Sequence, residues 1–155
     1  MKDEPEIVKE LRREEKEGKL KIDLKEKKKI LLVDDDQGIR ITVKDRLEEI
    51  NPDYNVVNAE NGKECIYKLK TESLPDLILL DIMMPDINGW DVAAEIRKNN
   101  KWNKIPIIFL TAKSDSHSKN YAGIVCTDYI TKPFDIYELK KRIDDSLNKN
   151  IDKRN

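Results

Sequence analysis

The residues able to do chemistry in this sequence stand directly behind short apolar runs. Asp34 and Asp35 follow the run at 30–33, Asp81 follows 77–80, Thr111 closes 105–110, and Lys132 ends the 128–131 segment ahead of Pro133. Gathered at one mouth, the carboxylates of Asp34, Asp35 and Asp81 would repel one another; two unit charges at 4 Å cost roughly 4 kcal/mol at an effective dielectric near 20. A hard divalent cation relieves that repulsion, and Mg²⁺ favours a few carboxylates together with waters and a phosphate oxygen. Thr111 adds a hydroxyl and Lys132 an ammonium, which with the metal would neutralise the oxygens of an incoming phosphoryl group. The carboxylate left over can attack phosphorus in line. The chemistry read from these residue types is phosphoryl transfer to an aspartate.

For that set to meet, the runs must be parallel strands of one sheet. The 77–80 stretch is apolar without alternation, as expected of a strand covered on both faces. Residues 30–33 read as the first strand, 54–59 as the second, 77–80 as the third, 105–110 as the fourth and 128–131 as a brief fifth. Between them Ile39, Val43, Leu47 and Ile50 recur at helical spacing behind Asp36 as N-cap. Asn61-Gly62 opens a helix with Cys65, Ile66 and Leu69; Gly89 to Lys98 forms one with Val92, Ala93 and Ile96 inward. The polar 114–125 segment is the weakest helix of the series, and Phe134 to Asn148 is a last amphipathic one with Ile136, Leu139, Ile143 and Leu147 inward. Alternation of this kind implies an α/β doubly wound parallel sheet with helices on both faces. Every strand then ends on one edge, where such sheets bind ligands.

Residues 1–28 form a charged extension, 29–148 the α/β domain and 149–155 a polar tail. Pro5 to Glu17 suits a helix whose stripe (Ile7, Leu11, Val8) is narrow; it is either solvated or docks a partner or a second protomer as a homodimer. Leu20, Ile22 and Leu24 alternate, as in an edge strand or docking segment, and Lys25 to Lys29 stand as a basic guard before the first strand. Charged residues make up 39% of the chain yet sum to a net charge of -1, so no cationic field calls for nucleic acid. Cys65 and Cys126 are far apart and lack ligand spacing, which makes both small core residues. No apolar run approaches the ~20 residues of a membrane span, and no signal-peptide core is present. A cytoplasmic protein without membrane insertion is expected.

The motifs Val33-Asp34-Asp35-Asp36, Leu80-Asp81-Ile82-Met83-Met84-Pro85-Asp86-Ile87-Asn88-Gly89, Leu110-Thr111-Ala112 and Asp128-Tyr129-Ile130-Thr131-Lys132-Pro133-Phe134 together resemble the receiver domain of two-component response regulators. The resemblance runs from Lys29 to Leu147. It implies a flavodoxin-like five-stranded sheet of order 2-1-3-4-5. It also implies that Asp81 accepts the phosphoryl group from a histidine kinase or histidine phosphotransfer protein. Asp34, Asp35, Asp81 and the backbone carbonyl of Met83 would hold Mg²⁺, Thr111 and Lys132 would meet the phosphoryl oxygens, and Lys132–Pro133 would be cis. Thr111 and Tyr129 would be the switch residues, and the 114–125 segment with the fifth strand and last helix the face shown to a downstream protein. Met83 and Lys113 match positions that tune dephosphorylation.

The chain departs from many relatives at Val125-Cys126-Thr127, where a glycine commonly ends the preceding helix. His117 reads as a solvated residue, Trp90 and Trp102 as packing residues. An aspartyl-phosphate phosphatase would carry a second acid two residues after its nucleophile, where this chain has Met83. A flavin binder would need a phosphate-cradling loop after the first strand, and a receiver serving only as scaffold would not need the full acid set. The expectation is a signalling phosphoacceptor rather than an enzyme, acting as a stand-alone receiver without a DNA-binding output domain.

Overall fold

Every residue of the strand Leu77–Asp81 is buried, so it must lie inside a sheet covered on both faces. A computed structural model describes residues 3–16, 26–112 and 128–154 of the chain. Its elements run α1 (Glu6–Lys16), β1 (Lys28–Val33), α2 (Gln37–Ile50), β2 (Tyr54–Ala59), α3 (Gly62–Thr71), β3 (Leu77–Asp81), α4 (Gly89–Lys98), β4 (Ile107–Ala112), β5 (Asp128–Lys132) and α5 (Ile136–Arg154). The five strands form one sheet of order β2-β1-β3-β4-β5, parallel throughout. This is the flavodoxin-like order expected above.

Strand side chains alternate between faces, and the core divides accordingly. Leu31, Val33, Ile78, Leu80 and Phe109 pack with Cys65, Ile66, Val92 and Ile96 of α3 and α4. Ile30, Leu32, Leu77, Leu79 and Leu110 pack with Val43 and Leu47 of α2 and Leu139, Ile143 and Leu147 of α5. Each such leucine taken from water contributes roughly 2 kcal/mol. Trp102 is buried among the α3–α4 set, and Trp90 lies against Phe109 with ring centroids 4.4 Å apart. Both tryptophans are packing residues, as expected, and Cys65 is a buried free thiol pushed up to about 12 by burial and the nearby Glu95 and Glu64.

Several boundaries differ from those read off the sequence, each for a local reason. β1 begins at Lys28 because Lys28 and Lys29 pair in register with Tyr54 and Asn55; these lysines belong to the strand rather than to a guard before it. β4 begins at Ile107 because Pro106 has no N–H and the Ile105 N–H turns back to the Trp102 carbonyl. β4 and β5 run on to Ala112 and Lys132 because those residues pair with each other. α5 starts at Ile136, since the Asp135 carboxylate accepts the Tyr137 and Glu138 N–H groups and so caps the helix there. Its far end reaches Arg154, through the stretch expected to be a tail, because no glycine or proline follows Pro133 to stop it. The 114–125 helix, the Val125-Cys126-Thr127 departure, Lys113, His117 and the alternation at Leu20, Ile22 and Leu24 lie outside the described residues.

Asp36 is the N-cap of α2, its Oδ1 accepting the Ile39 N–H at 3.1 Å. Asp36→Ala should lower stability by about 1 kcal/mol, read as a reduced urea midpoint with an unchanged slope. Among the described residues no helix is long and apolar enough to cross a membrane.

Candidate functional site

The register alone predicts where the reactive groups meet. Val33 of β1 pairs with Leu80 of β3, so the next residue on each strand, Asp34 and Asp81, is a neighbour at the carboxyl edge. This is the point where the strand order reverses, between β1 and β3, and where doubly wound sheets leave a crevice. On the far side Ala112 pairs with Lys132, which carries that lysine to the same edge.

Asp34 is fully buried and Asp81 is 6% exposed, whereas Asp35 between Asp34 and the cap residue faces solvent. Oxygens of Asp34, Asp35 and Asp81 all lie within 4.8 Å of one another. The Lys132 ammonium donates to Asp34 Oδ2 at 2.8 Å and stands 3.6 Å from Asp81 Oδ1. The other Asp34 oxygen accepts the Asp36 N–H at 2.9 Å, and the Asp34 carbonyl accepts Arg40 Nη1 at 2.6 Å. A buried acid is therefore held from three directions, with its rotamer set by the turn into α2. The Lys132–Pro133 bond is cis, as the resemblance implied.

These surroundings alter the acidity of the site. Burial, the adjacent Asp34 charge and Asp35 push Asp81 from 3.8 up to about 7, against the opposing pull of Lys132. Burial works against the charge on Lys132, but its hydrogen bond to Asp34 and the Asp34 and Asp81 charges outweigh it and hold the ammonium above the ordinary lysine value. Asp81 is thus a carboxylate whose ionised form is disfavoured even beside the Lys132 ammonium.

Thr111 is 4% exposed at the end of β4, and its hydroxyl donates to the Ile130 carbonyl at 3.4 Å. It borders the site, one residue beyond Leu110, the register partner of Asp81. Tyr129 is 39% exposed on β5, and Met83 is 65% exposed two residues beyond Asp81. Sequence reasoning thus brings Asp34, Asp35, Asp81 and Lys132 into one cluster and Thr111 to its border. It missed Arg40, for which a cationic residue one turn into the helix behind the acids was the available signal. It also missed the partner of Asp86, whose carboxylate crosses to the start of α3; no local pattern shows a contact of that range.

Residues 30–144 match the model of the response regulator receiver domain. The chain belongs to this family. Receivers are signalling phosphoacceptors of two-component systems and work with histidine kinases. This receiver is 42% identical over 125 residues to a probable transcriptional regulator ycf27 of Guillardia theta, covering 80% of this chain and 47% of that protein. It is 44% identical over 117 residues to the response regulator ArlR of Staphylococcus saprophyticus, covering 74% of this chain and 50% of the other. The chain therefore spans about half the length of these curated relatives. Among solved structures it resembles the response regulator TrrA of Thermotoga maritima in complex with Mg²⁺ and BeF, with a TM-score of 0.67 and 38% identity over 77% of this chain and 98% of that one.

The acid cluster fits a hard divalent cation. Its donors are all carboxylate oxygens, two of the three acids are buried, and the Lys132 ammonium offsets only part of their charge. Softer metals, which favour nitrogen and sulfur, would find neither in this set.

Proposed function

We propose that Asp81 accepts a phosphoryl group from the phosphohistidine of a sensor histidine kinase or a histidine phosphotransfer protein. The reading rests above all on the cluster of Asp34, Asp35 and Asp81 oxygens within 4.8 Å with the Lys132 ammonium among them. Asp34, Asp35, Asp81 and the Met83 carbonyl would hold Mg²⁺, which would supply positive charge to the oxygens of the transferring group. An oxygen of Asp81 attacks phosphorus while the P–N bond to the donor imidazole breaks, and the new bond is a P–O acyl phosphate. Lys132 then exchanges its contact with Asp81 for the phosphoryl oxygens. Thr111, released from the Ile130 carbonyl, turns its hydroxyl to the same oxygens.

An open groove lined by Gly38, Ile39 and Thr42 of α2 and by Pro133 and Phe134 runs beside Lys132, and gives a phosphodonor protein room to approach. Withdrawal of Thr111 inward vacates space that Tyr129 occupies next, which changes the surface formed by β5 and α5 for a downstream protein. Tyr129 and Tyr137 are exposed on that surface, and Arg142 of α5 ties back to Asp128 of β5 through two 2.9 Å bonds. The chain catalyses only its own phosphorylation and dephosphorylation in this scheme.

The test uses acetyl phosphate with Mg²⁺. Intact mass should show one added phosphate on the wild type, lost on hydroxylamine treatment, and none on Asp81→Asn. Labelling of Asp81→Asn to the wild-type extent would remove Asp81 from its role.

A further inference from the structure

The loop between β3 and α4, residues 82–88, carries Met83 and is pinned along its length. The Gly89 N–H donates to the Ile82 carbonyl at 2.8 Å. A Cβ on Gly89 would stand 2.3 Å from the Asp81 carbonyl oxygen, so the first turn of α4 lies directly on the end of β3. Ile82 and Met84 are buried on either side of exposed Met83. Beyond Pro85 the chain reaches a different helix. Asp86 Oδ1 accepts the Gly62 N–H at 3.3 Å and its Oδ2 accepts the Lys63 N–H at 3.0 Å.

Those N–H groups belong to the first turn of α3, where no helical carbonyl can serve them. Asn61 caps the same turn locally by accepting the Glu64 N–H at 2.8 Å. Helix α3 therefore has two caps, one from its own N-cap residue and one from a loop more than 20 residues further along the chain. Packing reinforces the second. A Cβ on Gly62 would be 3.1 Å from Ile87 Cβ and 2.8 Å from Val92 Cγ2, so the loop and α4 are seated on α3 at close range. Desolvation acts to raise the pKa of Asp86, but the backbone donors prevail and hold its carboxyl below the usual range.

We infer that Asp86 is a positioning residue: by fastening the β3–α4 loop to the start of α3, it sets the course of the backbone that offers the Met83 carbonyl to the metal. The inference rests on the phosphoacceptor reading above. Mg²⁺ demands near-octahedral geometry with ligands at about 2.0–2.1 Å and tolerates little displacement, and a site loosened by an ångström loses most of its function. Asp81 is fixed by its strand and Asp34 by the turn into α2; the Met83 carbonyl depends on the loop. Its anchors are Ile82 and Gly89 at the ends and Asp86 in the middle.

The test titrates Mg²⁺ alone into the full chain by calorimetry and follows urea unfolding of each variant. Asp86→Ala should bind Mg²⁺ about tenfold more weakly, the loss expected when one ligand of the set is misplaced. Asp86→Asn keeps an acceptor and should stay within about threefold of the wild type. Asn61→Ala weakens the same helix terminus without touching the loop, so it should lower stability as Asp86→Ala does and leave Mg²⁺ affinity within about twofold. Amide exchange gives a readout independent of phosphorylation: by linkage, Mg²⁺ should slow exchange at Lys63 in the wild type and leave it unchanged in Asp86→Ala. Equal Mg²⁺ affinity for Asp86→Ala and wild type would overturn the positioning role, as would an equal loss in Asn61→Ala or in Asp86→Asn. A wild type that binds no Mg²⁺ would overturn the phosphoacceptor reading and this inference with it.

Discussion

Without magnesium, Asp81→Asn should resist urea better than the wild type, and the gap should widen as pH rises from about 4 to about 8. Asp81 ionises near 3.8 when unperturbed and is pushed up to about 7 in the fold. Between those values the folded state holds more protons than the unfolded one, so the contribution of Asp81 to stability falls as pH rises through the window and levels off above it. The difference between variant and wild type cancels the contributions of groups remote from Asp81. At pH 8 it should reach roughly 2–4 kcal/mol, from 1.4 kcal/mol for each unit of displacement. Below pH 4 the two proteins should converge. Adding Mg²⁺ should raise the urea midpoint of the wild type more at pH 8 than at pH 5, because the cation binds the ionised acid, and should act only weakly on Asp81→Asn. A pH-independent gap would mean that the Asp81 environment does not strain its charge, and the metal site would lose its electrostatic basis.

The parts of this site that were legible in the sequence are those set by short-range patterns. A four-residue apolar run followed by an acid places that acid at a strand mouth, and Asp34 and Asp81 are there. Asp36 caps the helix that follows it, as expected, and Asn61 and Asn88, not read as caps from the sequence, do the same for theirs, since a short polar side chain ahead of an apolar periodicity has few other uses. Helix α4 spans the expected Gly89–Lys98 for the same reason. What escaped was decided across the sheet. β1 gained Lys28 and Lys29 because β2 offered them partners, and the Lys29 N–H meets Asp76 and its ammonium Ser73. The Asp86 bond to α3, the Arg40 bond to the Asp34 carbonyl and the Tyr54 hydroxyl donating to Asp144 each join residues whose pairing only the folded chain defines. Sequence patterns locate the reactive acids. They do not reveal the contacts that hold those acids still.

Lys132→Met separates the two roles its ammonium plays, and the two readouts should move in opposite directions. Methionine has similar length, so the packing of the side-chain stem is kept while the charge beside Asp34 and Asp81 is removed. In the metal-free protein at pH 8 this leaves buried carboxylates without their cation, a change that costs about 3–5 kcal/mol when one partner of a buried pair is deleted. Lys132 titrates above the ordinary lysine value, so its stabilisation is fully present at pH 8 and would fade only as pH rises through that higher value. Near pH 5 the loss should be smaller, since Asp81 is then protonated in the fold. Mg²⁺ should bind Lys132→Met more tightly than wild type, by at least about tenfold, because no ammonium competes 2.8 Å from Asp34. Phosphorylation by acetyl phosphate at saturating Mg²⁺ should nonetheless slow on the order of 100-fold, the effect of deleting one donor aimed at a developing charge. Tighter metal with slower chemistry assigns Lys132 to the phosphoryl oxygens. Weaker metal with slower chemistry would make it a structural prop of the acid cluster instead.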